Sequence, residues 1–313
     1  MKNKILKLLN RLPLFHKYYS GLATVFMLHR VHPFENERLF PNENMKVTPE
    51  FLENFIVKSK AQGYRFISLD RLYEMLIKGQ KIEKQIVLTL DDGYKDNYTI
   101  AYPIFKKYNV PFAVYITTSF PEKKAILWWY ELEDLIVKNE YLALSNGMKF
   151  ICDSKEKKER VFLEIREIII SLSPDRFLTE LNKLFFQYNI DWYKKCNDLC
   201  LTWDQIIELS SDDLCTIANH TVSHPALNKL TDERMSEEII AANELIELKL
   251  NKQIKHFSYP FGSINECNKR EFDFIKNQGF KTATTTRHGN IHKRHGDHLE
   301  CMPRIMLTEG FSF

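Results

Sequence analysis

The chain has 313 residues, of which 44% are hydrophobic and 27% charged, the balance of a soluble globular protein. This composition excludes a disordered tail, a collagen-like fibre and a multi-span membrane protein. The formal net charge is only +3, and charges of both signs are mixed along the chain. We therefore expect no nucleic-acid partner, because such a partner requires a basic surface for its phosphates.

The first 22 residues form a basic, partly apolar segment. Ile5, Leu8, Leu9 and Leu12 share one side of a predicted amphipathic helix, so residues 1–14 either contact a membrane surface or pack on the protein. Charges and a proline interrupt the apolar residues, which is not the pattern of a secretion signal. The six cysteines form no C-x-x-C pair. We therefore expect a reduced, cytoplasmic protein, at the inner face of the membrane if the segment binds lipid.

Short apolar runs alternate with helical patterns, which is typical of a parallel α/β fold. Thr48-Pro49 and Thr231 mark the starts of two helices. The predicted strands are residues 23–28, 64–68, 85–90, 111–117, 214–218, 256–259 and, more weakly, 281–284.

Residues from about 128 to 203 interrupt this rhythm with a charged, helical pattern that has no strand signal. We interpret them as a helical insertion between two strands. Residues 23–313 are accordingly predicted to form a single α/β domain. Trp128, Trp129 and Tyr130, at the start of the insertion, either stack on sugar rings or pack in a core.

The strand at 85–90 runs directly into Asp91-Asp92-Gly93. Polar groups at the carboxyl ends of parallel strands lie where α/β barrels build active sites. A bound cation would take one carboxylate and leave the other as a base. A simple turn is the alternative for this tripeptide. Asp96 and Asn97 are expected to cap the next helix.

The strand at 214–218 leads into His220 and His224, four residues apart. Two histidines at this spacing can both direct a ring nitrogen at one divalent ion. Together with one aspartate they would leave coordination positions open, as a catalytic metal site requires.

A third motif, SYPFG at residues 258–262, follows another predicted strand. In this order, TLDDGY, HTVSH and SYPFG resemble the polysaccharide deacetylase family with NodB homology, also called carbohydrate esterase family 4. The resemblance covers about residues 24–304 apart from the insertion. It implies a deformed (β/α) barrel and an enzyme that removes acetyl groups from sugars with one divalent metal ion, for which we expect Zn²⁺.

The resemblance assigns a role to each motif residue. Asp91 is the implied general base, and Asp92, His220 and His224 are the implied metal ligands. The backbone N–H of Phe261 is implied to bind the oxyanion of the tetrahedral intermediate.

Two positions depart from the family pattern. Ser258 replaces an arginine that orients the catalytic aspartate, and the chain lacks the late Leu-x-His motif that supplies the general acid. His29, at the end of the first strand, is our candidate acid. Arg304 is our candidate replacement for the arginine. The histidine-rich tract 287–298 is the rival for the acid, although its composition favours a mobile loop over the substrate.

The leading hypothesis is a metal-dependent hydrolase that removes an N-acetyl group from a sugar of a polysaccharide or of a lipid- or nucleotide-linked saccharide precursor. Such a precursor fits the assembly of a cell-surface polysaccharide. The alternatives are a deformylase-type sugar amidase and a catalytically silent carbohydrate-binding protein on the same fold. The adjacent carboxylates argue against the silent protein, since carbohydrate binding alone needs no free base beside a metal ligand.

Overall fold

The computed structural model describes residues 21–80 and 83–311. Residues 1–20, which hold most of the predicted amphipathic segment, lie outside this part of the chain. The strands are β1 (Ala23–Leu28), β2 (Arg30–Val31), β3 (Lys46–Val47), β4 (Arg65–Phe66), β5 (Gln85–Leu90), β6 (Phe112–Ile116), β7 (Tyr141–Ala143), β8 (Lys149–Ile151), β9 (Cys215–Asn219), β10 (His256–Ser258), β11 (Thr282–His288) and β12 (Met302–Met306).

The α-helices of the same residues lie between these strands. They are α1 (Phe40–Glu43), α2 (Pro49–Ala61), α3 (Leu69–Ile77), α4 (Tyr102–Lys107), α5 (Trp128–Lys138), α6 (Lys155–Ile170), α7 (Phe177–Leu184), α8 (Lys194–Leu199), α9 (Trp203–Ser211), α10 (Asp232–Leu250) and α11 (Lys269–Asn277). Thr48 and Thr231 accept hydrogen bonds from the first turns of α2 and α10, which confirms both predicted helix starts. No helix of residues 21–80 and 83–311 is long and apolar enough to cross a bilayer.

Seven parallel strands close into a barrel. Their order is β1, β12, β11, β10, β9, β6 and β5, and β5 pairs with β1 along its whole length to close the ring. β4 pairs beside the first residues of β5, and β2 and β3 form a separate parallel pair. The predicted (β/α) barrel is therefore confirmed.

Alternate residues of β1, β5 and β6 belong to different buried clusters, as the two-residue period of a strand requires. Phe26 and Leu88 pack with Phe55 of α2 and Phe105 of α4. Their neighbours on the same strands pack in a second cluster with Tyr115. Both faces of β5 are buried, which explains its continuous apolar sequence.

The chain between β6 and β9 contains the insertion, which has its own buried cluster built from α5, α6 and α7. The expectation that it has no strand is wrong, because β7 and β8 form an antiparallel hairpin within it. Each of these strands has only three residues, fewer than the apolar runs by which strands are recognised in a sequence.

All seven predicted strands are present, and the differences concern the ends of five of them and one barrel strand, β12, that is not predicted. The strands at 23–28 and 85–90 have the predicted bounds, and the other predicted strands differ at their ends. β12 is not predicted, because its sequence, MPRIM, combines a proline with an arginine. It forms because closure of the barrel provides β11 and β1 as partners.

Replacement of Phe26 by alanine tests the packing between barrel and helices. Phe26 is 1% exposed and packs edge-to-face on Phe55, with ring centroids 5.1 Å apart. We expect Phe26→Ala to lower the free energy of unfolding by about 3–5 kcal/mol in urea denaturation, because it leaves a cavity. Phe186→Ala, at a side chain that is 73% exposed, should change it by less than about 0.5 kcal/mol. Equal effects would contradict the assigned core.

Candidate metal centre and active site

The motifs predicted from separate parts of the sequence meet at the carboxyl ends of the barrel strands. β5 runs into Asp91 and Asp92, and β9 ends one residue before His220. These strands flank β6 in the same parallel sheet, so their ends open at one end of the barrel. The three side chains are almost completely buried, with exposures of 2%, 4% and 1%.

Asp92, His220 and His224 place one ligand atom each within 4.8 Å of one another. Asp92 Oδ1 lies 3.4 Å from Nε2 of His220 and 3.4 Å from Nε2 of His224. Two atoms that are each ~2.05 Å from a tetrahedral Zn²⁺ would be about 3.3 Å apart. The spacing of the three donors therefore matches a shared divalent ion without rearrangement.

One hydrogen bond orients the ring of His220, and another holds the backbone of His224. Nδ1 of His220 lies 2.8 Å from the backbone oxygen of Ser258, an arrangement that leaves Nε2 free for the cluster. The backbone N–H of His224 donates to the Thr221 hydroxyl. Both rings present Nε2 to the same carboxylate.

The protonation states of the cluster also suit a metal. Burial lowers the pKa of His224 to about 4, so its imidazole is neutral at pH 7 and can act as a ligand. Burial opposes ionisation of Asp92, but the neighbouring histidines outweigh it and hold the pKa of this carboxyl well below its usual range. Asp92 Oδ1 is buried without a hydrogen-bond partner among the described residues. This donor set fits a divalent ion such as Zn²⁺.

Arg304 of β12 forms a two-fold hydrogen-bonded ion pair with Asp91. Its Nη1 and Nη2 atoms donate to Oδ1 and Oδ2, each at 2.7 Å. Burial would raise the pKa of Asp91, but the guanidinium outweighs it and lowers this pKa. Asp91 is therefore held ionised in a fixed orientation. The structure brings together the two residues that we expected to act as a pair.

Ser258, where the family pattern has an arginine, contacts both halves of the site. Its hydroxyl accepts a hydrogen bond of 2.9 Å from Arg304, and its backbone oxygen is the partner of His220. Because the side chain of Ser258 is small, Arg304 of β12 can occupy the space beside Asp91. We expected this contact from the family pattern alone, and closure of the barrel by β12 brings it about.

His29, the candidate acid, lines the same cavity as Asp91 and Asp92. Burial lowers the pKa of its imidazole, while the charges of Asp92 and Asp91 oppose this effect. Its Nδ1 is buried and has no hydrogen-bond partner in the described chain. The imidazole is thus a neutral group with a free ring nitrogen in the site.

Strained backbone is concentrated around these groups. Of the eight non-glycine residues with positive φ in the described chain, four lie in the motifs: Asp92, Thr221, His224 and Phe261, with φ between 59° and 76°. Such conformations cost free energy and persist where the surrounding structure fixes them, often at functional sites. Phe261 lines the cavity, and its N–H donates to no acceptor among the described residues.

The site opens into a cavity of about 350 Å³ whose wall includes several aromatic side chains. The insertion contributes Trp128, Trp129, Tyr130 and Phe162, and the barrel contributes Tyr94. The indole N–H of Trp129 donates to the Tyr94 hydroxyl at 3.1 Å. Trp129 also faces His224, with ring centroids 6.2 Å apart.

Asp96 does not cap a helix through its side chain, contrary to our expectation. Its carboxylate instead accepts a hydrogen bond of 2.7 Å from Arg30, which also donates to Tyr130 at 3.2 Å. Asn97 donates to the backbone oxygen of His29. Sequence reasoning missed this network, whose members are up to 100 residues apart and carry no shared motif.

The prediction that the histidine-rich tract 287–298 lies over the substrate is wrong for residues 291–298, whereas Arg287 and His288 are the last residues of β11. Ile291 pairs with Ala23 at the first residue of β1, and Gly296 packs against the carbonyl of Leu76 at the end of α3. Both contacts are at the amino ends of the strands, opposite the site. Hydrogen bonds of the backbone, rather than the charge of the tract, decide its position.

Comparisons with known proteins identify the family of the chain. The polysaccharide deacetylase family model matches residues 78–280, so the chain belongs to the polysaccharide deacetylase family. It is 23% identical over 251 residues to YxkH of Bacillus subtilis, a protein assigned to the same class, and the match covers 80% of this chain. The chain spans only 61% of the length of this curated relative.

Two solved structures have a similar fold. The deacetylase PplD of Streptococcus pyogenes, in complex with acetate, matches with a TM-score of 0.61 at 19% identity, over 93% of this chain and 94% of PplD. IcaB from Ammonifex degensii matches with a TM-score of 0.59 at 16% identity, over 93% of each chain. These similarities extend across the barrel and the insertion.

Metal titration tests the ligand cluster. We expect the chelator-treated protein, prepared without an affinity tag, to bind one Zn²⁺ per chain in isothermal titration calorimetry. His224→Ala removes one of three ligands and should weaken binding by more than about 100-fold, since changes outside the ligand shell alone cost 10–100-fold. His288→Ala, at an exposed histidine, is the matched control and should bind like the wild type. Unchanged binding in His224→Ala would exclude this cluster as the metal site.

Proposed function

We propose that this protein is a metal-dependent hydrolase that removes the N-acetyl group from a sugar of a polysaccharide or of a lipid- or nucleotide-linked precursor. The observation that carries the proposal is the placement of an ionised, arginine-held carboxylate directly beside a second carboxylate that faces two histidines. This arrangement provides a base next to a cation site within one aromatic cavity. Family membership supports the choice of an acetylated sugar as the substrate.

Asp92, His220 and His224 would hold the divalent ion. When bound, the ion would polarise the acetyl carbonyl and increase the acidity of a water molecule. Asp91 would accept a proton from the attacking water, with its carboxylate fixed by Arg304. The Phe261 N–H would donate to the carbonyl oxygen as negative charge develops there.

His29 would take up a proton from solvent as the tetrahedral oxyanion forms and would give it to the departing amine. Its imidazole lies in the cavity with one unpartnered ring nitrogen, and the negative charge of the tetrahedral oxyanion would favour its protonation. The aromatic residues of the insertion would stack on the sugar ring. Acetate, which is bound in the related PplD structure, would be the second product.

The six thiols are all free in the structure, which supports a reducing compartment and therefore a cytoplasmic reaction. A formylated sugar would be hydrolysed by the same groups, so the acyl group is decided by the space around the carbonyl. A silent carbohydrate-binding protein is disfavoured, because the missing arginine has a replacement in Arg304.

Replacement of the base separates catalysis from metal binding. Asp91→Asn keeps the shape of the side chain but cannot accept the proton, so we expect acetate release to fall by about 10²- to 10⁴-fold. Zn²⁺ content should stay at one ion per chain. The measurement is acetate and formate release from a panel of N-acylated saccharides, with and without chelator. Asp198→Asn, at an exposed aspartate outside the site, is the matched control.

The outcomes of this assay are distinct. Formate without acetate would identify the deformylase alternative. Metal binding without release of either acid from any substrate would favour the silent carbohydrate-binding protein. Full activity in Asp91→Asn would overturn the role of Asp91.

Arg304→Lys tests the orientation of the base. Lysine keeps the positive charge but cannot form the paired hydrogen bonds of the guanidinium. We expect kcat to fall on the order of 10- to 100-fold, because the carboxylate is no longer held in the reactive geometry. KM and Zn²⁺ content should change little. Arg65→Lys, at an exposed arginine of β4, should keep wild-type kcat. A loss of Zn²⁺ in Arg304→Lys would instead assign a structural role to Arg304.

A further inference from the structure

A second cavity, also of about 350 Å³, lies between the barrel loops and the insertion. It shares Trp128, Trp129, His224 and Phe261 with the cavity of the active site. The two spaces therefore meet at the candidate metal ligand His224. A molecule bound with its reacting group at the site could extend into the second cavity.

The wall between the two cavities is formed by His224 and its aromatic neighbours. Its ring lies 6.2 Å from Trp129 and 4.9 Å from Phe261, measured between centroids. The backbone of His224 is held by the hydrogen bond that its N–H donates to the Thr221 hydroxyl. The aromatic wall of the active site thus continues directly into the second cavity.

The lining of the second cavity differs from that of the active-site cavity in its branched aliphatic side chains, which the active-site cavity lacks. Most of these side chains belong to the insertion. Sugar rings are recognised through several polar groups that hydrogen-bond their hydroxyls, whereas hydrocarbon is recognised by apolar area alone. The aliphatic side chains are Ile126, Ile169, Ile170, Leu172 and Leu178.

The charged groups of this cavity lie at its outer edge. The Lys124 and Arg176 side chains are 74% and 73% exposed and are paired with Glu122 and Glu180. Asp175 is paired with Arg234. The exposed Lys229 also lines the cavity and donates to the backbone oxygen of Ile170, so each of these charges has a partner, and the rest of the lining is mainly apolar with a few hydroxyl groups. This distribution suits an amphiphile, with its chain inside and its polar part at the edge.

We propose that the second cavity binds the hydrocarbon chain of a lipid-linked saccharide whose acetylated sugar occupies the active site. This assignment rests on the proposed function and narrows its substrate to a glycolipid. We call this cavity the chain groove. Ile170 and Leu178 are the positions chosen for substitution, because both are partly buried side chains that line it. The insertion, which supplies most of the groove, would then select for the chain.

Binding of simple alkyl glucosides tests the chain groove without any deacetylation. The probes are n-butyl and n-octyl β-D-glucopyranoside, used below the micellar concentration with the Zn²⁺-loaded wild-type protein. Each buried methylene tightens binding by about fourfold, so four more methylenes should lower Kd on the order of 100-fold. Binding is followed by calorimetry and by tryptophan fluorescence, to which Trp129 of the shared wall contributes.

Polar substitutions in the groove should remove this dependence on chain length. In Ile170→Gln, and separately in Leu178→Gln, we expect the octyl-to-butyl ratio of Kd to fall below about 10-fold. Leu163→Gln is the matched control, because Leu163 is on the same helix as Ile170 but is 50% exposed and does not line the groove. It should keep the wild-type ratio. Thermal melts check that each variant is folded, and the second groove variant remains decisive if the first is not.

The possible outcomes separate this inference from the proposed function. An equal Kd for the two glucosides, or a ratio unchanged in both groove variants, would overturn the chain groove even if soluble saccharides release acetate. A chain-length dependence that both groove variants abolish would support the groove. If no saccharide then released acetate or formate, only the proposed chemistry would fail, since the glucosides carry no acyl group.

Discussion

Arg304 reaches from β12 to Asp91 at the end of β5, and both groups are almost completely excluded from water. Burial of a charged pair is costly unless the geometry is good and the remaining polar atoms are satisfied. The guanidinium meets this condition, because it makes five hydrogen bonds, to the backbone oxygen of Thr285, the hydroxyls of Thr89 and Ser258, and both oxygens of Asp91. The strand β12, which completes the barrel, therefore also carries the arginine that orients the candidate base.

The neighbouring carboxylates have separate environments although they are adjacent in the sequence. Asp91 faces a permanent cation, whereas Asp92 faces two imidazoles, of which that of His220 is oriented by the backbone oxygen of Ser258. Two adjacent carboxylates would repel each other without these partners. Different partners give different chemistry to the two residues, one as a base and the other as a ligand. Ser258 links the two environments, since its hydroxyl contacts Arg304 and its backbone oxygen contacts His220.

The insertion adds surface to the barrel rather than changing its closure. Its core is separate from the cores of the barrel, yet Leu39 from the loop after β2 belongs to it. Glu133 of α5 is fully buried and accepts hydrogen bonds from the Leu39 N–H and from Asn42. These contacts fix α5 against the barrel and so place Trp129 beside His224. The shape of both cavities therefore depends on how the insertion docks.

The amino-acid sequence by itself determined the alternation of strands and helices, the strand ends that carry the aspartates and histidines, and the family. These features are local, since they depend on the periodicity and spacing of residues close together in the chain. Only the tertiary structure decided that barrel closure holds the expected Arg304 against Asp91, that Asp96 pairs with Arg30 instead of capping a helix, and that residues 291–298 lie at the opposite end of the barrel. These contacts join residues 66 to 268 positions apart. They are selected by barrel closure and burial, which no local pattern records.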